Sequence, residues 1–171
     1  MMIKHADDLT LGNGFMPMGF IPPSDASTKF ARLGQDFAKA AKILYQHHQN
    51  QKSYVFWPTY FLVCQALELY LKAFLRANDV PAKYLKDKIG HDLQRACHEA
   101  KQKGLDKIVN LTKDEEQMIE ILNPHYQNRD FQYKNDGEFT LVHLNGLISL
   151  LDRIDPPLFG FCVNANRKLY Q

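Results

Sequence analysis

The chain has 171 residues, 45% of them hydrophobic and 23% charged, and a formal net charge of +2. This length is enough for one domain with its own core, and the composition excludes a disordered chain. A net charge this small gives no sign of nucleic-acid binding on its own.

The first segment in chain order, residues 1–26, is predicted to be an irregular N-terminal arm. It mixes glycine and proline with scattered apolar residues, and Pro22-Pro23 closes it. It contains no continuous hydrophobic run of the kind that forms a secretion signal. We expect the apolar side chains of the arm to dock on the rest of the protein or on a second subunit; the alternative is that the arm is partly disordered.

Two long helices are predicted after the arm. The first runs from about Ser27 to His48, because apolar residues recur there at intervals of three and four. The second begins near Pro58, since proline suits the first helical position, and ends near Ala77. This second helix is apolar on nearly every side, which is typical of a helix at the centre of a bundle.

The second helix carries one narrow polar stripe. Its members are spaced three and four residues apart and therefore share one face: Gln65, Glu68, Lys72 and Arg76. On an exposed helix, the Glu68–Lys72 pair would contribute only about 0.2–0.5 kcal/mol. Inside a bundle, such a pair would need a reason for its retention. Two interpretations stay open here, a solvated side of the helix and a polar site at a cleft.

The third helix is predicted to start after His91-Asp92, with Asp92 as its N-cap, and Gly104 is predicted to end it. A histidine at a helix start can titrate near neutrality and act as an acid or a base. The alternative is that Asp92 caps the helix while His91 hydrogen-bonds a neighbouring loop.

Two further helices complete the prediction. The fourth opens at a capping box formed by Thr112 and Glu115, and Asn123-Pro124 is predicted to stop it. A final helix is predicted over residues 140–154, with a stop at Asp155-Pro156-Pro157.

The fold class predicted from these elements is all-α, an up-and-down bundle of about five helices. The bundle would span residues 27–157, and residues 158–171 would form a short C-terminal tail docking on it. No segment is apolar enough to cross a membrane. The three cysteines are far apart in the sequence, which indicates a reduced, cytoplasmic protein rather than a disulfide framework. His47-His48 has no carboxylate or cysteine at ligand spacing, so no metal site and no cofactor are predicted.

The segment after the fourth helix combines positive charge with aromatic rings: Tyr126, Arg129, Tyr133 and Lys134. An arginine among rings can hold a phosphate while the rings stack on a base. The structural alternative is that Arg129 pairs with Glu68 or Asp92 and the tyrosines fill the end of the bundle.

Three pieces of the chain, in this order, resemble the HEPN superfamily (higher eukaryotes and prokaryotes nucleotide-binding). They are Ala66-Leu67-Glu68-Leu69-Tyr70-Leu71-Lys72-Ala73, then Gly90-His91-Asp92-Leu93, then Tyr126-x-x-Arg129 followed by Tyr133. The resemblance implies a compact helical bundle, commonly a homodimer, from prokaryotic defence, toxin–antitoxin or RNA-processing systems. It also implies an antitoxin or a nucleotidyltransferase as a candidate partner.

Many members of this superfamily are metal-independent endoribonucleases. In those, an Arg and a His four to six residues later converge across the dimer interface, where the His acts on the ribose 2′-OH and the Arg stabilises charge on the phosphate. Arg129 resembles the start of this motif, but Lys134, Asn135 and Asp136 stand where the His is expected. A catalytic pair here would have to combine Arg129 with His91 from another helix.

Three functional hypotheses follow. In the first, the protein binds RNA or a nucleotide without hydrolysing it, through Lys72, Tyr126, Arg129, Tyr133 and Lys134. In the second, it is a non-catalytic interaction or dimerisation module held by a polar network of Gln65, Glu68, Lys72 and Asp92. In the third, it is a metal-independent endoribonuclease with a rearranged site, His91 and Arg129. The first hypothesis predicts that Lys72, His91 and Arg129 lie near one cleft.

Overall fold

A computed structural model describes residues 26–51, 56–133 and 139–168, and every regular element in these ranges is helical. The α-helices are α1 (Ala26–Gln51), α2 (Phe56–Ala77), α3 (Ala82–Tyr84), α4 (Leu93–Gln102), α5 (Lys113–Gln127) and α6 (Leu144–Lys168). A π-helical turn, Leu85–Ile89, continues α3, and a 3-10 turn, Leu105–Lys107, follows α4. The all-α prediction is confirmed. The predicted N-terminal arm, apart from its last residue, lies outside the described residues.

α2 is the central helix and contacts α1, α4, α5 and α6. Its side chains Leu67, Tyr70 and Phe74 are at most 1% exposed, and burying a Leu or Phe side chain contributes about 1.5–3 kcal/mol. Gly34 allows α1 to approach closely, because a Cβ atom at that position would lie 3.2 Å from the Tyr70 ring. With this apolar surface in the core, the polar stripe of α2 faces α5 and the turn before α4.

The helix ends that depend on local hydrogen bonds are where the sequence predicts them. Asp92 is the N-cap of α4, and its Oδ1 accepts a hydrogen bond from the backbone N–H of Arg95. Thr112 and Glu115 form a reciprocal capping box at the start of α5. Gly104 follows α4 in the left-handed conformation, with φ of 88°. These three predictions are confirmed.

The prediction that Asn123-Pro124 stops the fourth helix is wrong, because α5 continues to Gln127 with Pro124 inside it. A proline in a helix removes one hydrogen bond to the carbonyl four residues earlier. That carbonyl belongs to Glu120, whose residue is exposed, so water can replace the missing donor. Asn123 is buried and bonds to the start of α4, which holds this part of α5 in place.

The final helix is also longer than predicted and starts later. α6 begins at Leu144, passes through Pro156 and Pro157, and ends at Lys168, so residues 158–168 are helix rather than a separate docking tail. Buried side chains continue at helical spacing across the prolines: Leu147, Leu151, Ile154, Leu158 and Cys162. This packing outweighs the cost of two prolines, whose lost acceptors belong to the exposed residues 152 and 153.

The continuity of α6 predicts that Gly160→Ala stabilises the protein. No atom lies within 4 Å of a Cβ built at Gly160, and alanine is favoured over glycine in a helix interior by about 1 kcal/mol. Thermal unfolding followed by circular dichroism should therefore show a higher Tm. The matched control is Gly34→Ala in α1, which should lower Tm because the new methyl group meets Tyr70. A lower Tm for Gly160→Ala would contradict a continuous α6.

The hydropathy of the helices and the state of the cysteines are two further properties of the described chain. No helix in the ranges 26–51, 56–133 and 139–168 is long and apolar enough to span a membrane. All three cysteines, Cys64, Cys97 and Cys162, are buried and free. Burial raises the pKa of the Cys97 thiol to about 11, so this thiol stays protonated and unreactive near neutral pH.

Candidate functional site

The Gly90-His91-Asp92 sequence forms a tight turn between the π-helical turn and α4. The backbone N–H of Asp92 donates to the carbonyl of Ile89 at 3.0 Å, and Gly90 has φ of 55° and ψ of −123°. These angles belong to the first central position of a type II′ turn, where glycine is strongly favoured. His91 occupies the second central position, and this turn directs its ring towards α2.

Glu68 of α2 is the centre of a buried polar network. The residue is 4% exposed. Its Oε1 accepts a hydrogen bond from Lys72 Nζ at 2.6 Å, and its Oε2 accepts one from the Tyr126 hydroxyl at 2.6 Å. Oε2 also lies 2.9 Å from His91 Nδ1. A buried carboxylate is tolerated when it is paired and hydrogen-bonded in this way.

Lys72 and Tyr126 are both buried and complete the network. Lys72 is 8% exposed, and its Nζ donates a second hydrogen bond, of 2.6 Å, to the Gly90 carbonyl. The Tyr126 hydroxyl lies 2.7 Å from Oε1 of Gln65. Burial, together with the nearby charge of Glu68, raises the pKa of Tyr126 above its ordinary value, so this hydroxyl keeps its proton. The network thus joins α2, the II′ turn and α5.

His91 is the exposed member of the network. Half of its side chain, 50%, is accessible, against 5% for Glu68. Its ring meets the Tyr126 ring edge-on, with centroids 5.6 Å apart. A carboxylate only accepts hydrogen bonds, so we assign His91 the tautomer that donates from Nδ1–H, which leaves Nε2 as the nitrogen that can meet a ligand. This arrangement resembles an oriented acid–base or phosphate-binding histidine.

Asp92, predicted as part of the network, lies in a neighbouring cluster instead. Its Oδ1 accepts from the backbone N–H of Arg95 at 2.9 Å and from Asn123 Nδ2 at 3.2 Å. Asn123 in turn accepts from the backbone N–H of Leu93 at 2.7 Å through Oδ1. As an N-cap, the Asp92 carboxylate faces the free amides of α4, which takes it away from Glu68. The sequence did not indicate this role of Asn123, because the proline that follows it predicts the end of the helix at that point.

The remaining predicted residues fall in different places. Arg76, the last member of the stripe, donates from Nη1 to the Val80 carbonyl at 2.5 Å. This hydrogen bond holds the turn that follows α2. Tyr133 is 63% exposed. Lys134 lies outside the described residues.

Arg129 is exposed and stands three residues beyond Tyr126. Its φ is 61°, so the residue adopts the left-handed conformation just beyond the end of α5. Within the part of the chain that the structure describes, it forms no ion pair with Glu68 or Asp92. The structural pairing considered for this arginine is therefore wrong, because the turn carries the side chain to the surface instead.

The part of the chain that the structure describes includes two grooves. One of about 610 Å³ lies between α4 and α5, and one of about 450 Å³ is formed by α1, α2 and the start of α6. Neither is lined by His91 or Arg129. Within the described ranges, no group of three or more His, Cys, Asp or Glu side chains could hold a metal ion.

The geometry defines a class of site, a half-exposed histidine oriented by a buried and fully paired carboxylate. Comparisons with family models, with curated proteins and with solved structures find no match for this chain. The chemistry of the site is therefore the basis for assigning a function.

Proposed function

We propose that this chain is a HEPN-like protein that binds RNA or a nucleotide at the His91 surface without hydrolysing it. The observation that supports this proposal most strongly is the difference in solvent exposure between His91 and the residues that orient it. The imidazole is half exposed, whereas the carboxylate, ammonium and phenol that hold it are buried. Buried charges are costly, and a polar cluster that orients an exposed titratable group is a functional-site candidate.

The proposed ligand contact is a phosphate. A protonated His91 would donate from Nε2 to a phosphate oxygen, while Glu68 compensates the positive charge on the ring. Arg129 would supply a second, bidentate donor from the surface beyond α5. The exposed ring of Tyr133 would offer a stacking surface for a base. The His91 side chain is 50% exposed and Tyr133 is 63% exposed, so both are accessible to an extended strand, which favours RNA as the ligand.

Two residues of the predicted ligand-binding set take supporting roles in this proposal. The Lys72 ammonium donates hydrogen bonds to Glu68 and to the Gly90 carbonyl, and the Tyr126 hydroxyl donates one to Glu68. Both side chains are buried, so they would hold His91 in place rather than contact the ligand.

A metal-independent endoribonuclease is the second candidate, and one observation favours it. The Nδ1 contact with Glu68 leaves Nε2 as the nitrogen of His91 that could accept the proton of a ribose 2′-OH. Arg129 would then stabilise the charge that develops on the phosphate. This reaction would leave 2′,3′-cyclic phosphate ends, and the same histidine would be essential for it.

The test is RNA binding in EDTA, measured by fluorescence anisotropy with a labelled single-stranded RNA of mixed sequence. His91→Ala should weaken binding about tenfold, the effect of losing one charge-assisted hydrogen bond. His98→Ala is the matched control, because His98 is an exposed histidine of α4 outside the network, and it should change the affinity less than twofold.

Gel analysis of the same RNA separates the hypotheses. Intact RNA with His91-dependent binding supports the proposal, whereas His91-dependent cleavage supports the endoribonuclease. No binding by the folded wild-type protein would contradict both. It would leave the network as the structural core of a non-catalytic interaction module.

A further inference from the structure

The turn that carries Arg129 is closed twice by one pair of residues. The backbone N–H of Asp130 donates to the carbonyl of His125 at 2.9 Å. The side chains of the same two residues also meet, with His125 Nδ1 lying 3.0 Å from Asp130 Oδ2. Both side chains are largely buried, 17% and 11% exposed. The pair therefore closes the turn at the end of α5, and Arg129 lies within this turn, directly before Asp130 in the sequence.

Arg129 has an unusual backbone conformation for its residue type. The backbone N–H of Arg129 donates to the Tyr126 carbonyl at 3.1 Å, and together with the Asp130–His125 bond this forms a Schellman motif. The enclosed position of that motif is usually glycine, because other L-residues are strained at positive φ. Asp79, after α2, is the only other non-glycine residue at positive φ in the described ranges. Aspartate tolerates this conformation better than arginine.

Apolar rings shield the His125–Asp130 pair from water. The His125 ring centroid lies 5.2 Å from that of Phe139 and 6.0 Å from that of Phe131. A hydrogen bond in such surroundings is stronger than one at the surface. The pair can thus support a strained residue that local sequence does not favour.

We propose that the His125–Asp130 pair is a positioning clamp, which holds Arg129 in the left-handed conformation and keeps its guanidinium at the surface beyond α5 for the proposed phosphate contact. This inference rests on the proposed function. Without the clamp, Arg129 would relax towards the helical region, and its side chain would leave the surface position. His125 and Asp130 are positioning residues in this account and do not contact the ligand.

The binding test uses two substitutions of His125. His125→Phe keeps a ring against Phe139 and removes Nδ1, whereas His125→Asn restores a donor near the position of Nδ1. His125→Phe should weaken RNA binding about fivefold to tenfold, and His125→Asn should recover the wild-type affinity to within about twofold. Arg129→Gly should weaken binding about tenfold, and adding His125→Phe to it should cause no further loss, because the clamp would have nothing left to position.

Hydrogen exchange of the Asp130 amide provides a second readout that needs no ligand. His125→Phe should speed this exchange about tenfold in the wild-type background, since the turn would open more often. It should have little effect in the Arg129→Gly background, because glycine keeps the left-handed conformation unaided. Additive losses of affinity, or equal exchange effects in both backgrounds, would overturn the clamp. If wild-type protein binds no RNA, the proposed function and the positioning role both fail, while exchange still decides whether the pair holds the turn.

Discussion

Glu68→Ala is expected to lower the free energy of unfolding by about 3–5 kcal/mol, the largest effect of any single substitution in the network. The substitution leaves the buried ammonium of Lys72 without its counter-charge and the Tyr126 hydroxyl without its acceptor. Urea denaturation followed by circular dichroism measures this loss as a lower midpoint.

Two comparisons identify the cause of that loss. Glu116→Ala removes the acid of a half-buried pair with Lys101, which is much more accessible to water than the Glu68–Lys72 pair, and ion pairs accessible to solvent contribute at most about 1 kcal/mol. The double variant Glu68→Ala with Lys72→Met should be more stable than Glu68→Ala alone, because it removes both buried charges. A loss for Glu68→Ala no greater than that for Glu116→Ala would contradict a buried network.

Gly90→Asn is expected to cost about 2–3 kcal/mol and to weaken RNA binding as well. The angles of Gly90, φ of 55° and ψ of −123°, lie in a region that residues with a Cβ atom rarely adopt. The nearest atom to a Cβ built there is the Lys86 carbonyl oxygen at 3.9 Å, so the cost comes from the backbone rather than from a clash. A shifted turn would move both the Gly90 carbonyl bonded to Lys72 and the ring of His91.

The matched control applies the same substitution to Gly104. This residue has φ of 88° and ψ of 29°, and asparagine tolerates this left-handed region at a helix end. Gly104→Asn should therefore cost less than about 1 kcal/mol and leave RNA binding unchanged. Equal losses of stability for the two variants, measured by urea denaturation, would show that the turn does not depend on the angles of Gly90.

The sequence predicted those parts of the fold that are determined locally. Caps such as Asp92 and the Thr112–Glu115 box involve residues three apart, so their hydrogen bonds can be inferred from spacing alone. The effects of Pro124 and Pro156 were predicted wrongly, because tertiary packing decides whether a helix continues past a proline. Leu158, which follows Pro157, is buried by the packing of the whole bundle, and this burial cannot be predicted from its neighbours in the sequence.

In the site, too, local features could be predicted from the sequence and tertiary contacts could not. Spacing placed Glu68 and Lys72 on one face of α2. Their partners His91 and Tyr126 lie 23 and 58 residues from Glu68 along the chain, and only the folded bundle brings them together. The His125–Asp130 pair was not predicted, because the expected stop at Asn123-Pro124 placed His125 beyond the helix and hid the closing turn.

We propose that Glu68 orients His91 so that its Nε2 meets a phosphate. The most direct measurement is a ¹H–¹⁵N spectrum of the histidine side chains, recorded with and without RNA and assigned with His91→Ala. We expect Nδ1 of His91 to carry a proton in both spectra and its Nε2 signal to shift when RNA is added. A His91 that is protonated at Nε2 alone, or whose signals do not change while the protein binds RNA, would contradict the account.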